Sequence, residues 1–389
     1  MEIQNYERTQ LDVSRKELLK QAIDGLGLRC VVDKVDAYVA ISALYDPAGN
    51  LVSEGAGKGF GCDIGATAEA IEHYCLQMEG RSETCLYPNE FISLQESVLK
   101  DGVIRNISNF DGLLECVEFK AVYGDGKVII PKILVSPEDD IQTSPDCLFL
   151  ERYSTNSGSA FGCTFEEAIL HGVNEVLERH VLSLVMLDIV DESSLVKVNK
   201  LSSEFLDSVF LPFDLALSGE ARVYYVSDVF GGFFCLAVRD CQEEDFLLPQ
   251  IGSGCSQSFT LALTRAVFEL RQAEALYGYE ERLVDEQAAR IMSKSKRLEG
   301  LRSLYPRCTC SSDEMPSLID VNSQQPVRQL EEIIRRLNAN GYEVYYRVVR
   351  KINSSSIVTQ VYIPGMERLN LIRSGKWVAP QKALLKPFF

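Results

Sequence analysis

The sequence has little of what membrane, secreted or nucleic-acid-binding proteins require. It contains no run approaching the roughly 20 uninterrupted apolar residues that a membrane helix needs. Its first residues show neither the apolar core of a signal peptide nor the Arg-rich, acid-poor composition of a transit peptide. Lys and Arg number 39 against 56 Asp and Glu, a net charge of -17, so nothing favours long-range attraction to a nucleic-acid backbone. We expect a cytoplasmic protein that binds neither membranes nor nucleic acid.

Histidine and tryptophan are scarce, which weighs against several kinds of catalysis. Three histidines give little support to a Ser-His-Asp or Cys-His mechanism. A glycosidase site usually offers sugar-stacking aromatic residues besides its two carboxylates, and the single tryptophan, Trp377, makes that class a distant alternative. The 12 cysteines are spread along the chain, and Cys308 and Cys310 lack the second ligand pair of a zinc site. We interpret the cysteines as reduced thiols that pack as small hydrophobic residues.

The rest of the composition is that of a globular protein, with 46% hydrophobic and 24% charged residues. Helical periodicity and end signals predict helices at 14–27, 63–79, 165–185, 258–277 and 327–340. Alternating apolar residues and turn signals predict strands at 37–44, 222–226, 233–238, 343–349 and 357–363, with a hairpin at 120–135. We predict an α/β or α+β fold with mixed or antiparallel sheets in one domain, 1–389, a surface excursion or mobile loop at 293–325, and a C-terminal tail at 380–389.

One pattern occurs three times along the chain. A glycine-rich strand end leads into a helix that bears a glutamate and a second polar residue three positions later: Glu69 with Glu72, Glu175 with Glu178, and Glu269 with Gln272. A spacing of three places both members of a pair on one helical face. A single Glu-x-x-Glu pair is more often a solvated surface. These pairs, however, are embedded in small and apolar residues, which predicts helices packed on more than one side.

Buried carboxylates require cations, and oxygen ligands without thiolate or imidazole clusters favour magnesium, which usually bridges the phosphates of a nucleotide. The hypothesis is therefore a nucleotide site. Glu167 and Arg265 would complete it, with Arg265 stabilising the charge of phosphoryl transfer or, alternatively, pairing with a neighbouring glutamate. Lys58 lies in a glycine run that departs from the P-loop pattern at Val52 and Gly59; it either contacts a phosphate or belongs to a plain turn.

Several segments together resemble the YcaO family in order, register and spacing, from about residue 36 to 380. They are Gly57-Lys58-Gly59, ATAEAIEHY (66–74), SGSAFGCTFEEAILHGVNEVLERH (157–180), ALTRAVFELRQ (262–272) and VYIPGMERL (361–369). The resemblance implies a YcaO-type fold, with carboxylate-bearing helices around a central nucleotide site, and an enzyme that uses ATP and Mg2+ to activate a backbone amide of a ribosomally made peptide. A nucleophile adds to the amide carbonyl, the oxyanion takes the γ-phosphoryl group of ATP, and phosphate then leaves.

The resemblance also implies roles for individual residues. Glu69, Glu72, Glu175 and Glu178 would hold magnesium; Lys58, Glu167, Arg265, Glu269 and Gln272 would join them in binding the nucleotide, and Arg265 and Glu269 would act in catalysis. The chain departs from the family pattern at four positions, where it has Gly65, His73, Ala160 and Cys163.

The nature of the nucleophile decides the product. A Cys, Ser or Thr side chain gives an azoline, our leading hypothesis, whereas external sulfide gives a thioamide and an amine gives an amidine. The four departures keep a non-catalytic scaffold open as an alternative from a different class.

Under the resemblance we expect the chain to lack a fused peptide-clamp domain. Besides the precursor peptide, its partners would then be an E1-like or leader-peptide-clamp protein and a flavin-dependent dehydrogenase. The tail, with Pro380 and Pro387, would reach the site or serve as a docking segment.

Overall fold

A computed structural model describes residues 7–8, 12–80, 84–87, 90, 98–107, 112–137, 144–191, 195–210, 221–239, 246–311 and 325–385. The described helices are α1 (Asp12–Leu26), α2 (Cys62–Gln77), α3 (Gly102–Arg105), α4 (Pro145–Glu151), α5 (Phe165–Asp191), α6 (Ser203–Phe210), α7 (Phe259–Ala275), α8 (Tyr279–Met292), α9 (Lys296–Glu299), α10 (Pro326–Ala339) and α11 (Gln381–Leu384). None of these helices is long and apolar enough to cross a membrane.

The described strands are β1 (Arg29–Lys34), β2 (Val39–Tyr45), β3 (Leu51–Lys58), β4 (Cys85–Leu86), β5 (Leu114–Ala121), β6 (Lys127–Pro131), β7 (Ser159–Gly162), β8 (Val198–Lys200), β9 (Ala221–Val229), β10 (Gly232–Arg239), β11 (Gln250–Ser256), β12 (Cys308–Ser311), β13 (Tyr345–Asn353) and β14 (Ser356–Tyr362). The chain forms two compact units. Unit 1 comprises Met1–Asn5, Leu177–Ser323 and Leu369–Trp377, and unit 2 comprises Tyr6–Val176, Gln324–Arg368 and Val378–Phe389. The division falls within α5, so Glu175 belongs to unit 2 and Glu178 to unit 1.

Unit 2 contains two sheets. One is an antiparallel three-stranded sheet in the order β1-β2-β3, and the other has the order β4-β5-β13-β14-β7 with β6 paired to β5. Apolar residues from α1, α2, β2, β7 and β14 form a common core, because α1 and α2 turn their apolar faces toward the strands. Its buried members include Leu19, Ile23, Leu44, Ile71, Phe161 and Val358.

Unit 1 contains a five-stranded sheet in the order β11-β10-β9-β8-β12, in which β12 runs parallel to β8 and the other neighbours are antiparallel. Helices α6 and α7 cover one face of this sheet. The core between them and the strands includes Phe210, Val223, Cys235, Phe259 and Val267, all buried. The 4-residue strand β12 and the short helix α9 lie within residues 293–325, whereas 312–324 lie outside the described residues.

Close contact between a glycine-bearing strand and the helix that follows it recurs in both units. In unit 2 a Cβ atom at Gly57 of β3 would collide with the carbonyl oxygen of Cys62 and the backbone nitrogen of Ala66 in α2. In unit 1 a Cβ atom at Gly252 of β11 would collide with the carbonyl oxygen of Ala266 in α7. Only glycine permits such an approach. As a result, polar side chains on these helices reach the backbone of the strands.

The C-terminal helix α11 is held in unit 2 by a buried polar network that we call the C-terminal anchor. Its members are Asp101, Tyr362, Glu367, Arg368 and Gln381. Arg368 Nη2 donates to Asp101 Oδ2 at 3.1 Å and to Tyr362 Oη at 2.8 Å. The Gln381 side chain donates to Asp101 Oδ1 at 3.3 Å, and its backbone N–H donates to Glu367 Oε2 at 3.0 Å. The anchor therefore fixes the position at which the tail begins.

The predicted fold class is confirmed, since helices and largely antiparallel sheets alternate along the chain and the fold matches that of YcaO structures. The long helix predicted at 165–185 extends to Asp191. The sequence predicted β7 and β11 only as glycine-rich strand ends before helices, without bounds, because their glycines lower strand propensity. The prediction of a single domain stays a prediction, and the end of the tail, 386–389, lies outside the described residues.

Candidate functional site

Three of the predicted magnesium ligands come together in unit 2, and we call Glu69, Glu72 and Glu175 the acid cluster. One oxygen of each carboxylate accepts a backbone hydrogen bond from a strand or from the residue that precedes it: Glu69 Oε2 from Ala56 at 3.0 Å, Glu72 Oε1 from Phe161 at 2.7 Å, and Glu175 Oε2 from Gly158 at 3.1 Å. These bonds orient three acids of α2 and α5 through the backbone of β3 and β7. Backbone donors are positioned by the fold itself, so the orientation does not depend on flexible side chains.

The electrostatics of the acid cluster centre on Glu72. Burial is the main reason that the pKa of its carboxyl is raised to about 8. The hydrogen bond from Phe161 and the charge of Arg8 lower this pKa, and the charges of Glu69 and Glu175 raise it. Like charges held together in this way oppose ionisation. A bound cation would reverse the effect, because it favours the ionised form of all three acids.

Glu167 forms an ion pair that the sequence did not reveal. Its Oε1 atom lies 3.2 Å from Arg8 Nη1, and Glu167 is 1% exposed. The first turn of α5 positions this acid, since the backbone N–H of Glu167 donates to Thr164 Oγ1 at 3.2 Å. Arg8 lies 159 positions earlier in the chain, and no local pattern connects the two residues. The structure thus adds an arginine of the N-terminal segment to the candidate site.

The polar face of α5 extends beyond the acid cluster. Glu167, His171, Asn174 and Glu178 follow one another at spacings of four, three and four, which places them along one stripe of the helix. Within unit 1, the buried Glu178 Oε1 accepts a hydrogen bond from Ser253 Oγ of β11 at 2.7 Å. The sequence predicted Glu167 and Glu178 but neither Asn174 nor Ser253. Only the helical spacing signalled Asn174, and nothing in the sequence signalled Ser253.

The third predicted motif lies on α7 in unit 1. Arg265 Nη1 donates to the carbonyl oxygen of Cys255 in β11 at 2.9 Å. Glu269 and Gln272 follow on the same helix at spacings of four and three, so all three side chains share one face. Ser258 caps the helix by accepting a hydrogen bond from the backbone N–H of Leu261 at 3.3 Å. The helical placement of the motif is as predicted, and the roles of its residues stay predictions.

The glycine run around Lys58 forms the turn between β3 and α2. Lys58 is the last residue of β3, and Gly59 and Gly61 have positive φ angles of 77° and 69°. Such angles favour glycine, and Gly61 is the residue that caps α2. Lys58 is partly buried at the N-terminal end of α2, where the helix dipole favours anions. The position is compatible with both interpretations drawn from the sequence, a phosphate contact and a turn.

The structure gives the surroundings of three departures from the family pattern: His73, Ala160 and Cys163. His73 Nδ1 lies 2.8 Å from the carbonyl oxygen of Glu54, and its Nε2 lies 3.9 Å from Glu69 Oε1. Ala160 is fully buried in β7, opposite Thr359 of β14. Cys163 is 8% exposed, and burial raises the pKa of its thiol. His73 thus lies at the edge of the acid cluster, in the position where the family is expected to carry an arginine.

The remaining histidines do not form a catalytic arrangement. Burial lowers the pKa of His180 to about 4, which keeps its imidazole neutral at ordinary pH. Within the described ranges, no group of three or more His, Cys, Asp and Glu side chains is arranged as a metal-holding cluster. The donor set of the acid cluster nevertheless suits Mg2+, which prefers carboxylate oxygen as a ligand.

Comparisons with known proteins agree with these features. Residues 57–367 match the family model described as an ATP- and Mg2+-binding YcaO cyclodehydratase. An uncharacterized protein of Methanothermobacter thermautotrophicus is 26% identical over 307 residues, which cover 78% of each chain.

Among solved structures, YcaO from Methanopyrus kandleri bound with AMPPCP and Mg2+ is similar with a TM-score of 0.64 and 18% identity, covering 95% of both chains. A chain of the Escherichia coli microcin synthetase McbBCD complex with pro-MccB17 bound is similar with a TM-score of 0.57 and 17% identity, covering 87% of this chain and 88% of that one. At these identities the structural likeness shows the fold alone.

Proposed function

The chain belongs to the YcaO family of ATP- and Mg2+-binding cyclodehydratases, and from this premise we propose that it activates backbone amides in a ribosomally synthesised precursor peptide. The product we favour is an azoline, formed from Cys, Ser or Thr side chains. Thioamide or amidine formation would use the same activation with a different nucleophile. ATP and Mg2+ are the cofactors of the family.

The observation that carries the proposal is the acid cluster. Three carboxylates from two helices are each held by a backbone N–H group. Burial raises the pKa of Glu72 to about 8, and the charges of Glu69 and Glu175 act in the same direction. A scaffold that binds only peptide has no use for such an arrangement, because half-buried carboxylates held close together repel one another unless something neutralises them. Magnesium bound with a nucleotide would supply the missing positive charge.

We propose that Glu69, Glu72 and Glu175 bind magnesium together with Glu178. Lys58, Glu167, Arg265, Glu269 and Gln272 take part in nucleotide binding, and Arg265 and Glu269 act in catalysis. When bound, ATP and Mg2+ supply a transferable phosphoryl group and the cation that screens its charge.

The protein's own residues bind and orient in this scheme. The backbone groups of Ala56, Gly158 and Phe161 hold the acids in position before any ligand arrives. Arg265 donates hydrogen bonds, as its contact with the Cys255 carbonyl already demonstrates. A dedicated histidine base is unnecessary, because positioning and electrostatics account for most catalysis of phosphoryl transfer. This agrees with the buried, neutral state of His180.

We further propose that the precursor peptide reaches the enzyme with the help of a second protein, either E1-like or a leader-peptide clamp, and that a flavin-dependent dehydrogenase joins the same assembly. The microcin synthetase with pro-MccB17 bound, to which this chain is similar in fold, is a multi-subunit complex and supports this expectation. All ten described free cysteines are compatible with a reducing cytoplasm.

Calorimetry tests the proposal. A non-hydrolysable ATP analogue is titrated into the full chain with and without Mg2+, and the titrations are repeated with Glu175→Gln and with Glu166→Gln, a control on the same helix outside the acid cluster. We expect Mg2+-dependent binding to the wild type and to Glu166→Gln and at least tenfold weaker binding to Glu175→Gln, because loss of a ligand charge weakens metal binding.

The result that would overturn the proposal is wild-type protein that binds no nucleotide, either alone or with its partner protein. Where binding is observed, mass spectrometry of the precursor peptide identifies the product. Loss of one water per modified residue indicates an azoline, and replacement of oxygen by sulfur indicates a thioamide.

A further inference from the structure

Asn174 is a buried amide whose polar atoms have no hydrogen-bond partner among the described residues. The side chain is 2% exposed, and both Oδ1 and Nδ2 are closed to solvent. Buried amides in native proteins nearly always form hydrogen bonds, and an exception calls for a structural or functional reason. Asn174 lies in the interior of α5, where its side chain does not cap the helix.

The position of Asn174 along α5 supplies that reason. It is the residue before Glu175, one turn before Glu178, and two turns after Glu167, all of which the preceding proposal assigns to the nucleotide and magnesium site. Residues four apart on a helix are neighbours, whereas adjacent residues do not face each other. Glu178 is therefore the carboxylate that the amide of Asn174 can reach along the helix.

Glu178 is already held from one side, since its Oε1 atom accepts a hydrogen bond from Ser253 at 2.7 Å. Metal-binding carboxylates are commonly oriented by hydrogen bonds from a second layer of residues. Because both amide atoms of Asn174 are closed to solvent, the side chain does not present itself to a ligand directly. Its available role is to orient a neighbouring acid.

We propose that Asn174 is a positioning residue whose side-chain amide donates a hydrogen bond to the Glu178 carboxylate when that carboxylate holds the nucleotide-bound cation. The inference rests on the proposed function of the site. In the ligand-free protein the amide stays unsatisfied, so the residue lowers stability in exchange for a better-oriented ligand.

Replacement with leucine, Asn174→Leu, tests the inference because it preserves the approximate volume of the side chain and removes its polar atoms. Removal of an unsatisfied buried amide leaves stability unchanged or increases it. We expect a melting temperature no lower than that of the wild type and about tenfold weaker binding of a non-hydrolysable ATP analogue in the presence of Mg2+. Any weak binding without Mg2+ should not change.

The matched control is Ser356→Ala. Ser356 is 2% exposed in β14, and its hydroxyl also has no partner within the described part of the chain. This variant should keep the stability and the nucleotide affinity of the wild type. If Asn174→Leu does not fold, Asn174→Ala replaces it, since truncation avoids overpacking.

Two results would contradict the inference. Unchanged Mg2+-dependent affinity in Asn174→Leu would show that the amide does not act on the site. A fall in melting temperature in both Asn174→Leu and Asn174→Ala would assign Asn174 a structural role. Absence of nucleotide binding by the wild type is distinguishable from both, because it removes the proposed function itself.

Discussion

The C-terminal anchor, which is buried, and the acid cluster, which is half-buried, are two polar groups of unit 2 whose charges are balanced differently. Burial is the first cause of a raised pKa in each, at Glu72 and at Glu367. At Glu367 the backbone N–H groups of Arg368 and Gln381 and the charge of Arg368 act against burial. At Glu72 the hydrogen bond from Phe161 also acts against burial, whereas the charges of Glu69 and Glu175 add to its effect.

The difference separates a structural cluster from the proposed binding site. In the anchor, an arginine, a hydroxyl and an amide of the chain itself face the two acids, so the network stabilises α11 without any ligand. In the acid cluster the charge of Arg8 lowers the pKa of Glu72, and Arg8 also forms an ion pair with Glu167. Carboxylates whose charges raise one another's pKa occur in folded proteins mainly where function requires them. Three substitutions test this distinction.

The largest effect is expected from breaking the anchor. Arg368→Leu leaves the fully buried Asp101 without its cationic partner. We expect a loss of about 3 kcal/mol in the free energy of unfolding, because removal of one member of a buried pair leaves an uncompensated charge. Urea unfolding followed by circular dichroism measures this loss. Nucleotide affinity of the folded fraction should not change.

Arg328→Leu is the control for this measurement, since Arg328 pairs with Glu331 on the surface of α10 with its side chain 73% exposed. Exposed pairs contribute under about 1 kcal/mol. If Arg368→Leu and Arg328→Leu lower the free energy of unfolding by the same amount, the anchor contributes no more to stability than a surface ion pair. The anchor would then not be a structural cluster.

The contribution of Glu72 to the free energy of unfolding should fall as the pH rises, whereas that of an ion-paired carboxylate rises with pH. The pKa of Glu72 in the folded protein is about 8, above its usual 4.5, so the folded state binds the proton more tightly than the unfolded state. Its contribution to stability is fully present below pH 4.5 and is lost as the pH rises through about 8. Glu72→Gln should therefore be more stable than the wild type at pH 8 by roughly 3 kcal/mol, less than the full shift implies because Glu72 keeps some solvent contact.

The measurement is the difference in free energy of unfolding between wild type and Glu72→Gln across pH 4 to about 9 without Mg2+, with Glu166→Gln as the control. The difference should vanish at low pH and grow toward high pH. Equal stabilities at all pH values would mean that the acids do not repel each other in the folded protein. Addition of Mg2+ should reduce the gap, since the cation stabilises only the ionised wild type.

Sequence patterns predicted the elements that carry the site because those elements are local. Helical spacing is enough to place Glu69 with Glu72 and Glu175 with Glu178 on shared faces, and the structure has α2 and α5 where the pattern predicted helices. The sequence predicted a strand end before α7 but not the bounds of β11, for a physical reason: Gly252 and its neighbours have low strand propensity, and packing against α7 overrides that preference.

The contacts that complete the site are not local, and sequence patterns did not predict them. Arg8 and Glu167 are 159 positions apart, and Ser253 and Glu178 are 75 apart. No periodicity connects residues over such distances, because their proximity follows from how helices and strands pack. The same holds for the backbone donors of Ala56 and Phe161, since every residue other than proline has an N–H group and only the fold selects which ones face an acid.

The smallest of the three effects concerns Ser253, a neutral donor to a buried acid in unit 1. Ser253→Ala removes the hydroxyl that donates to Glu178 Oε1 at 2.7 Å and leaves no new charge. We expect Mg2+-dependent affinity for a non-hydrolysable ATP analogue to fall by about tenfold, the lower end of the range for residues that orient metal ligands. Ser208→Ala is the control, because the hydroxyl of Ser208 donates to a backbone carbonyl at the surface. An affinity equal to that of the wild type would place Glu178 with the acids of the anchor, as a structural residue, and would restrict the binding site to the acid cluster of unit 2.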